Sequence, residues 1–296
     1  MDFTLLAAWY AGHRWVGGLL VSVLGLCVGS FLNVCIYRIP NKISIRTPPS
    51  HCPDCKARLT FLDLVPVLSW LWLGGKCRRC GKRISLRYIA VELLTAALFL
   101  LCWWRLPDFW RLMPALVLTG VLIASAFIDA EKRIIPNGLV LFGAAAGALL
   151  GAACYLATGH MPWQDALSTA GPESWLRAVT GALAGALAGG APLLAIDMVS
   201  RMVLRKDGMG GGDVKLMAMA GLYLGWTASL IALLLAVVAG GLAGAILLAT
   251  KRLKRGDYFP FGPFLAGGAY ASMLFCGTIL QLYSAFNRMI IGWIAG

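Results

Sequence analysis

The sequence predicts an all-α polytopic membrane protein with about eight transmembrane helices and a polar loop that carries four cysteines. Of its 296 residues, 59% are hydrophobic and only 13% are charged, and the mean hydropathy is +0.78. The apolar residues occur in blocks of about 20, the length that crosses a bilayer as a helix. This composition excludes a water-soluble fold, a disordered chain, a coiled coil and a secreted disulfide scaffold.

The positive charge is distributed between the apolar blocks. The chain carries 26 Lys and Arg residues against 13 Asp and Glu residues, a formal net charge of +13. Short cytoplasmic loops retain positive charge in this way, whereas a nucleic-acid surface interleaves basic and aromatic residues on one face. We therefore expect anionic lipid headgroups as partners and no nucleic acid. Most basic residues fall in four clusters, at 38–87, 132–133, 201–215 and 251–255.

Seven apolar stretches are long enough to cross about 30 Å of hydrocarbon, and an eighth is shorter. If the N-terminus lies outside, eight crossings place all the basic clusters in the cytoplasm and the other basic residues outside. We expect the first span to stay in the mature protein, because its positive residues follow the apolar run. The predicted spans are 15–36, 89–104, 112–128, 138–157, 178–200, 214–226, 227–250 and 259–283.

Glycines concentrate in several of these spans. The stretches 181–190 and 240–244 lie inside apolar segments, where small residues favour close helix packing over phosphate binding. The short span 214–226 reaches about 20 Å as a helix. It must therefore tilt, extend through Gly212, or cross a thinned bilayer. In the last two cases the glycines before Asp213 would be non-helical backbone lining a cavity, and Asp213 would face water inside the protein.

The polar segment 40–87 contains two C-x-x-C pairs that are separated by 21 residues. This spacing predicts a tetrahedral four-thiolate zinc site, and the alternatives are two disulfides or four free thiols. A cytosolic loop is reducing, which disfavours disulfides. Four thiolates leave no position for water, so the zinc would be structural. The predicted ligands are Cys52, Cys55, Cys77 and Cys80.

The sequence predicts three domains. They are an N-terminal segment with the first helix (1–39), a zinc ribbon-like cytoplasmic loop (40–87) and a seven-helix membrane domain (88–296).

Two carboxylates stand out among the few acids near the spans. Asp129 ends the apolar run of the third span, and Asp213 follows the glycines at 210–212. Two carboxyls that approach closely cannot both ionise, so such a pair holds one proton. The ionised member can take a proton from water while the neutral member polarises a peptide carbonyl. The alternatives are a helix N-cap at Asp213 and a boundary residue at Asp129.

Two further acids have simpler explanations. Asp197 precedes Arg201 by four residues near a cytoplasmic helix end, so either an ion pair along one helix or a boundary position explains it. Glu92 lies inside the second span, where either a buried hydrogen bond or a role in a site would account for it.

The segment 208–216, Gly-Met-Gly-Gly-Gly-Asp-Val-Lys-Leu, resembles the GxGD motif of intramembrane aspartic proteases, and its continuation is similar to that of the type IV prepilin peptidase branch. Further segments resemble the same family, in the same order along the chain. They are 29–40, the cysteine tetrad with Pro-Val-Leu-Ser-Trp at 66–70, Ile-Ser-Leu-Arg-Tyr at 84–88, Val-Glu-Leu-Leu at 91–94, Asp129 with Ile-Pro-Asn at 135–137, and Phe-Gly-Pro-Phe at 261–264.

The resemblance implies a bifunctional enzyme of the bacterial inner membrane. It would cut the basic leader from type IV prepilins or type II secretion pseudopilins after a glycine, on the cytoplasmic side. It would then methylate the new N-terminal amine with S-adenosylmethionine. By the same resemblance, Asp129 and Asp213 are the catalytic aspartates and the four cysteines bind the metal. Some family members lack the four cysteines and still cleave. Asn33, Arg38 and Glu92 lie in family-like segments and are candidates for the cofactor pocket.

Two other classes of function compete with this interpretation. A transporter with an ion path would carry charges near the middle of several spans, whereas these carboxylates crowd one face. A non-catalytic assembly factor of a secretion system would use its zinc loop to bind partners. The sequence does not indicate the oligomeric state.

Overall fold

The structure is a computed structural model that describes residues 14–106, 108–159, 175–204, 210–252 and 259–295. Within these ranges the protein is helical, with two isolated β-bridges and no strand, which confirms the predicted fold class. Seven of the described helices are long and apolar enough to cross a membrane. The helices are α1 (Arg14–Arg38), α2 (Leu68–Trp72), α3 (Leu86–Arg105), α4 (Phe109–Lys132), α5 (Asn137–Thr158), α6 (Trp175–Leu204), α7 (Gly211–Ala249) and α8 (Gly262–Ala295), with a 3-10 helix at Phe61–Leu64 before α2.

The chain forms two compact units, Met1–Lys132 and Arg133–Gly296. In the first unit, α1 packs antiparallel to α3 through glycines. A Cβ atom at Gly25 would lie 2.6 Å from the Cα of Ala96, and one at Gly29 would lie 2.7 Å from the Cα of Glu92. Only glycine permits backbones to approach so closely, as is common between membrane helices. This packing fixes the height of Glu92 relative to α1.

In the second unit, α6 packs antiparallel to the first part of α7. A Cβ at Gly185 would lie 2.2 Å from the carbonyl oxygen of Gly221, and one at Gly189 would lie 2.3 Å from that of Met217. The packing role predicted for the glycine-rich stretch 181–190 is therefore confirmed at these two positions. On α5, by contrast, large apolar side chains such as Leu149 and Leu156 are exposed, as suits a lipid-facing surface.

Helix α7 is interrupted at Gly225, where φ is 73° and ψ is 175°. These angles lie outside the helical region, and a positive φ is readily adopted by glycine. The boundary predicted between the spans 214–226 and 227–250 coincides with this break.

Of the alternatives for the span 214–226, those that leave the glycines before Asp213 non-helical are wrong for Gly211 and Gly212. Both are helical, since Gly210 is the N-cap residue and α7 starts at Gly211. Helix α7 thus begins three residues before the predicted span 214–226. Residues 205–209, which include the beginning of the glycine motif, lie outside the described residues, as does the predicted N-terminal segment up to residue 13.

Candidate functional site

The four cysteines of the polar loop come together in the first unit. Their sulfur atoms all lie within 4.8 Å of one another, and all four cysteines are free. Zn–S bonds of about 2.3 Å in a tetrahedron place the sulfurs about 3.8 Å apart, and the Sγ atoms of Cys52 and Cys80 are 3.9 Å apart. The donor set and its spacing therefore fit zinc, and the disulfide alternative is wrong.

Each C-x-x-C pair forms one tight knuckle. The N–H of Cys52 donates to the carbonyl of Ala57 at 3.0 Å, and the N–H of Cys77 donates to that of Lys82 at 2.8 Å. The equivalent hydrogen bonds give the two knuckles the same local fold. Each knuckle thus presents two sulfurs from a single turn, as the spacing predicts.

The thiols of the second knuckle differ in pKa. Backbone N–H groups of Cys80 and Arg79 donate to the sulfur of Cys77 and lower its pKa to about 7. For Cys80, the N–H of Lys82 lowers the pKa, but burial and hydrogen bonds with the other thiols outweigh it and raise the pKa to about 11. The thiolate is the form that binds metal, so the backbone around Cys77 favours coordination.

A cavity of about 930 Å³ lies in the first unit, between the polar loop and the ends of α1 and α3. Its volume is within the range of roughly 300–1,000 Å³ that small-molecule sites occupy. Asn33, Arg38 and Glu92 all line this cavity and are all buried. The structure therefore brings together the three residues that the sequence offered as candidates for a cofactor pocket.

Asn33, which lines the cavity, has a buried acceptor without a partner. Its Nδ2 donates to the carbonyls of Tyr88, at 2.9 Å, and Gly29, at 3.3 Å. Its Oδ1 is buried and has no hydrogen-bond partner. A buried acceptor without a partner costs about 1–3 kcal/mol, which a donor on a bound ligand would recover. This orphaned oxygen is the observation that fits a polar cofactor in the cavity.

Glu92 faces the polar loop. Its Oε2 accepts a hydrogen bond of 2.8 Å from the backbone N–H of Val67, so the buried hydrogen bond expected for Glu92 is confirmed. Sequence reasoning missed the contribution of Glu131, which also lines the cavity and forms an ion pair with Arg87. The only signals for this pair were the family-like segment around Arg87 and the proximity of Glu131 to Asp129 in the chain.

The two aspartates singled out from the sequence are both buried. Asp129 is 2% exposed and lies near the end of α4, so it is a buried carboxylate close to a helix boundary. Asp213 is 4% exposed and lies in the first turn of α7, where the helix dipole favours a carboxylate. The N-cap residue is Gly210, so the N-cap alternative for Asp213 is wrong. Asp129 belongs to the first unit and Asp213 to the second, and their pairing stays a prediction.

The start of α7 lies against the Ile-Pro-Asn segment in the second unit. Lys215 donates through Nζ to Oδ1 of Asn137 at 3.0 Å. A Cβ at Gly212 would lie 2.9 Å from the Cβ of Ile135. Further along α7, the hydroxyl group of Tyr223 donates to the carbonyl oxygen of Gly143. Two family-like segments that are distant in sequence therefore meet around Asp213.

Asp197 forms an ion pair with Arg201 at 2.9 Å, one turn along α6. This confirms the simple explanation that the sequence offered for it. Among the described residues, the charged residues that are buried as a whole are Arg38, Glu92, Asp129, Asp197 and Asp213. Each lies within about two turns of a helix end, whereas a transporter with a central ion path predicts charges near mid-span.

Two family models match the chain. Residues 23–106 match the Bacterial Peptidase A24 N-terminal domain, and residues 116–245 match the Type IV leader peptidase family.

The chain is also similar to curated proteins with the name prepilin leader peptidase/N-methyltransferase. It is 35% identical to that of Aeromonas salmonicida (strain A449) over 95% of this chain and 98% of the relative. Identity to that of Bacillus subtilis (strain 168) is 34%, over 89% and 96%. Identity to that of Neisseria gonorrhoeae is 33%, over 83% and 86%. No solved structure matches the chain.

Proposed function

Because the chain belongs to the type IV leader peptidase family, we propose that it cuts basic leaders from type IV prepilins or type II secretion pseudopilins with a pair of aspartates at the cytoplasmic membrane face. It is a prepilin leader peptidase with N-methyltransferase activity and a multi-pass bacterial membrane protein. A leader joined to an apolar helix enters the bilayer from the side. Its cleavage junction then lies at the interface, where the proposed aspartates would act.

The proposed catalytic pair is Asp129 and Asp213. The ionised carboxylate accepts a proton from water, whose oxygen bonds to the scissile carbonyl carbon. The neutral carboxyl donates its proton to the carbonyl oxygen. As the tetrahedral intermediate collapses, a proton passes to the amide nitrogen and the C–N bond breaks. The single observation that carries this proposal is the burial of both carboxylates, because two buried acids are far less costly when they share one proton.

The chain around Asp213 supports the pairing. Ile135, which follows Asp129 by only six residues, lies beside Gly212 at the start of α7.

We propose that the cavity of the first unit binds S-adenosylmethionine, with Asn33, Arg38 and Glu92 among its contacts. When bound, the cofactor supplies an electrophilic methyl group. The new N-terminal amine must lose its proton before it can attack, and a partly desolvated site lowers the pKa of that amine. The four cysteines would hold zinc, which would stabilise the polar loop rather than take part in the chemistry.

The peptidase proposal is tested with Asp129→Asn and Asp213→Asn in purified, detergent-solubilised protein. Each substitution removes an ionisable proton site and is expected to abolish leader cleavage with expression and zinc content unchanged. Asp197→Asn is the matched control, since Asp197 is also buried, at 5% exposed, but is paired with Arg201. Cleavage within twofold of wild type in either of the first two variants would contradict the proposal.

The methyltransferase proposal needs a separate measurement. Mass spectrometry of the processed N-terminus, with and without S-adenosylmethionine, is expected to show a mass gain of one methyl group only when the cofactor is present. A panel of prepilins and pseudopilins in the same assay identifies the preferred substrate. An unmethylated product from every substrate would contradict methyl transfer by this chain.

A further inference from the structure

Arg38 is a buried cation that no acid of the described residues neutralises. Arg38 is the last residue of α1 and is only 6% exposed. One guanidinium nitrogen, Nη1, donates to the carbonyl oxygens of Ser44, at 2.9 Å, and Ile45, at 3.3 Å. The ion pairs of the described residues join other partners, and none includes Arg38. A buried charge with two neutral acceptors is incompletely compensated.

The acids that line the same cavity are already committed to other groups. Three of them form ion pairs with other basic side chains, and Glu92 accepts from a backbone N–H. None of these four acids therefore forms an ion pair with Arg38. The pairs are Asp54 with Lys82, Asp63 with Arg78, Glu131 with Arg87, and Glu92 with the N–H of Val67.

The remaining donors of Arg38 are available to a ligand. Nη2 and Nε make no hydrogen bond to the described residues, and Arg38 lines the cavity of about 930 Å³. A planar guanidinium matches a carboxylate with two parallel hydrogen bonds, and such charge-assisted pairs are strong when buried. On the same helix, Asn33 offers its unpaired Oδ1 as an acceptor. A ligand with a carboxylate and an N–H group complements both residues.

We propose that Arg38 binds the α-carboxylate of the amino-acid part of S-adenosylmethionine and so orients the methyl donor in the cavity. This inference rests on the proposed methyltransferase function of the same cavity. Arg38 thereby acts as a binding and positioning residue, and takes no part in bond making or breaking. A lysine at this position would bind the carboxylate more weakly, because a compact ammonium does not make the two parallel hydrogen bonds of a guanidinium.

The test compares the binding of two methyl donors, radiolabelled S-adenosylmethionine and its decarboxylated form, to the full-length protein by equilibrium dialysis. The wild type is expected to prefer the carboxylated donor by about 10- to 100-fold, the value typical of a hydrogen-bonded charge pair. Arg38→Met is expected to bind both donors equally, and Arg38→Lys to keep only part of the preference. The ratio is measured within each variant, so a reduced folded fraction lowers both affinities and leaves the ratio intact.

Arg46→Met is the matched control, because Arg46 is exposed and does not line the cavity. It is expected to keep the wild-type preference. An undiminished preference in Arg38→Met and Arg38→Lys would overturn the role of Arg38 while leaving the donor cavity in place. If the wild type bound neither donor, the proposal that the cavity binds S-adenosylmethionine would be contradicted. Phosphatidylglycerol that bound to the wild type but not to Arg38→Met, with the same donor preference in both proteins, would overturn the proposal by assigning Arg38 to a lipid headgroup.

Discussion

Oε2 of Glu92 on α3 accepts a hydrogen bond of 2.8 Å from the backbone N–H of Val67, 25 residues earlier in the chain. Val67 has φ 60° and ψ −51°, and the N–H of Leu68 donates to the carbonyl of Pro66 at 2.6 Å. These features define a γ-turn with positive φ, a strained conformation for a β-branched residue. A buried acid of a membrane helix therefore maintains a strained turn in the polar loop.

We expect Glu92→Ala to loosen the polar loop. Loss of a hydrogen bond to a charged group costs about 1.5–3 kcal/mol, which raises the population of the opened loop about 10- to 100-fold. Trypsin should then cut the segment 40–87, which is rich in Lys and Arg, correspondingly faster. Glu92→Gln is the control, since its amide oxygen can still accept from Val67. Equal cleavage rates in wild type and Glu92→Ala would show that the hydrogen bond does not hold the turn.

Val67→Gly in the Glu92→Ala background should recover part of the lost protection. Glycine adopts a positive φ without the steric cost of about 1–3 kcal/mol that a strained residue carries. Val67 is only partly buried, so little packing is lost with its side chain. The measurement is again the rate of tryptic cleavage in the segment 40–87. A further increase in the rate would indicate that the valine side chain, rather than the backbone strain, dominates at this position.

The two metal knuckles carry different residues at their left-handed position. The fourth residue after the first cysteine is Lys56 in one knuckle, with φ 58°, and Gly81 in the other, with φ 69°. Gly81→Ala should weaken zinc binding about 5- to 30-fold, because a left-handed residue with a side chain costs about 1–2 kcal/mol and knuckle folding is coupled to metal binding. Competition with a chromophoric chelator measures this change.

Space does not explain that expected loss, since a Cβ at Gly81 would meet no atom within 4 Å. Lys56→Gly, the reverse change in the first knuckle, should strengthen zinc binding by a similar factor. Zinc affinities of both variants that match the wild type would rule out backbone strain as a determinant of the metal site.

Metal analysis tests the site as a whole. We expect about one zinc per chain, as four thiolates saturate one tetrahedral ion. Replacing Cys52 and Cys77 together with serine removes one sulfur from each knuckle and should reduce the zinc content to none. Cys154→Ser is the control, because Cys154 is buried on α5, outside the four-cysteine cluster. A wild-type protein purified without zinc would contradict the proposed metal.

The features that the sequence predicted correctly are those with a local pattern. Apolar length predicted the spans, the doubled C-x-x-C predicted the cysteine cluster, and a four-residue spacing predicted the ion pair of Asp197 with Arg201. In each case the partners are related by spacing along the chain or by a repeated motif. The physical cause, whether helix length, tight-turn geometry or helix periodicity, acts over a few residues.

The features that the sequence could not predict depend on backbone groups or on distant partners. The N–H of Val67 has no side-chain signature that points to Glu92. The unneutralised charge of Arg38 emerges only once the partners of every surrounding acid are known. The sequence predicted a span boundary near the break in α7, but the residue at the break, Gly225, is one of 35 glycines in the chain, and no local pattern identifies it.

Two glycines one turn apart on α6 differ in the space around them. Gly185 has a backbone carbonyl 2.2 Å from where its Cβ would lie, whereas Gly181 has open space. Gly185→Ala must therefore push α6 away from α7, at a cost of about 1–3 kcal/mol for overpacking. Gly181→Ala should be neutral or stabilising by up to about 1 kcal/mol, because alanine favours the helix. Thermal unfolding in detergent should thus show a lower midpoint for Gly185→Ala only, and equal midpoints for the two variants would mean that this helix contact is not tight.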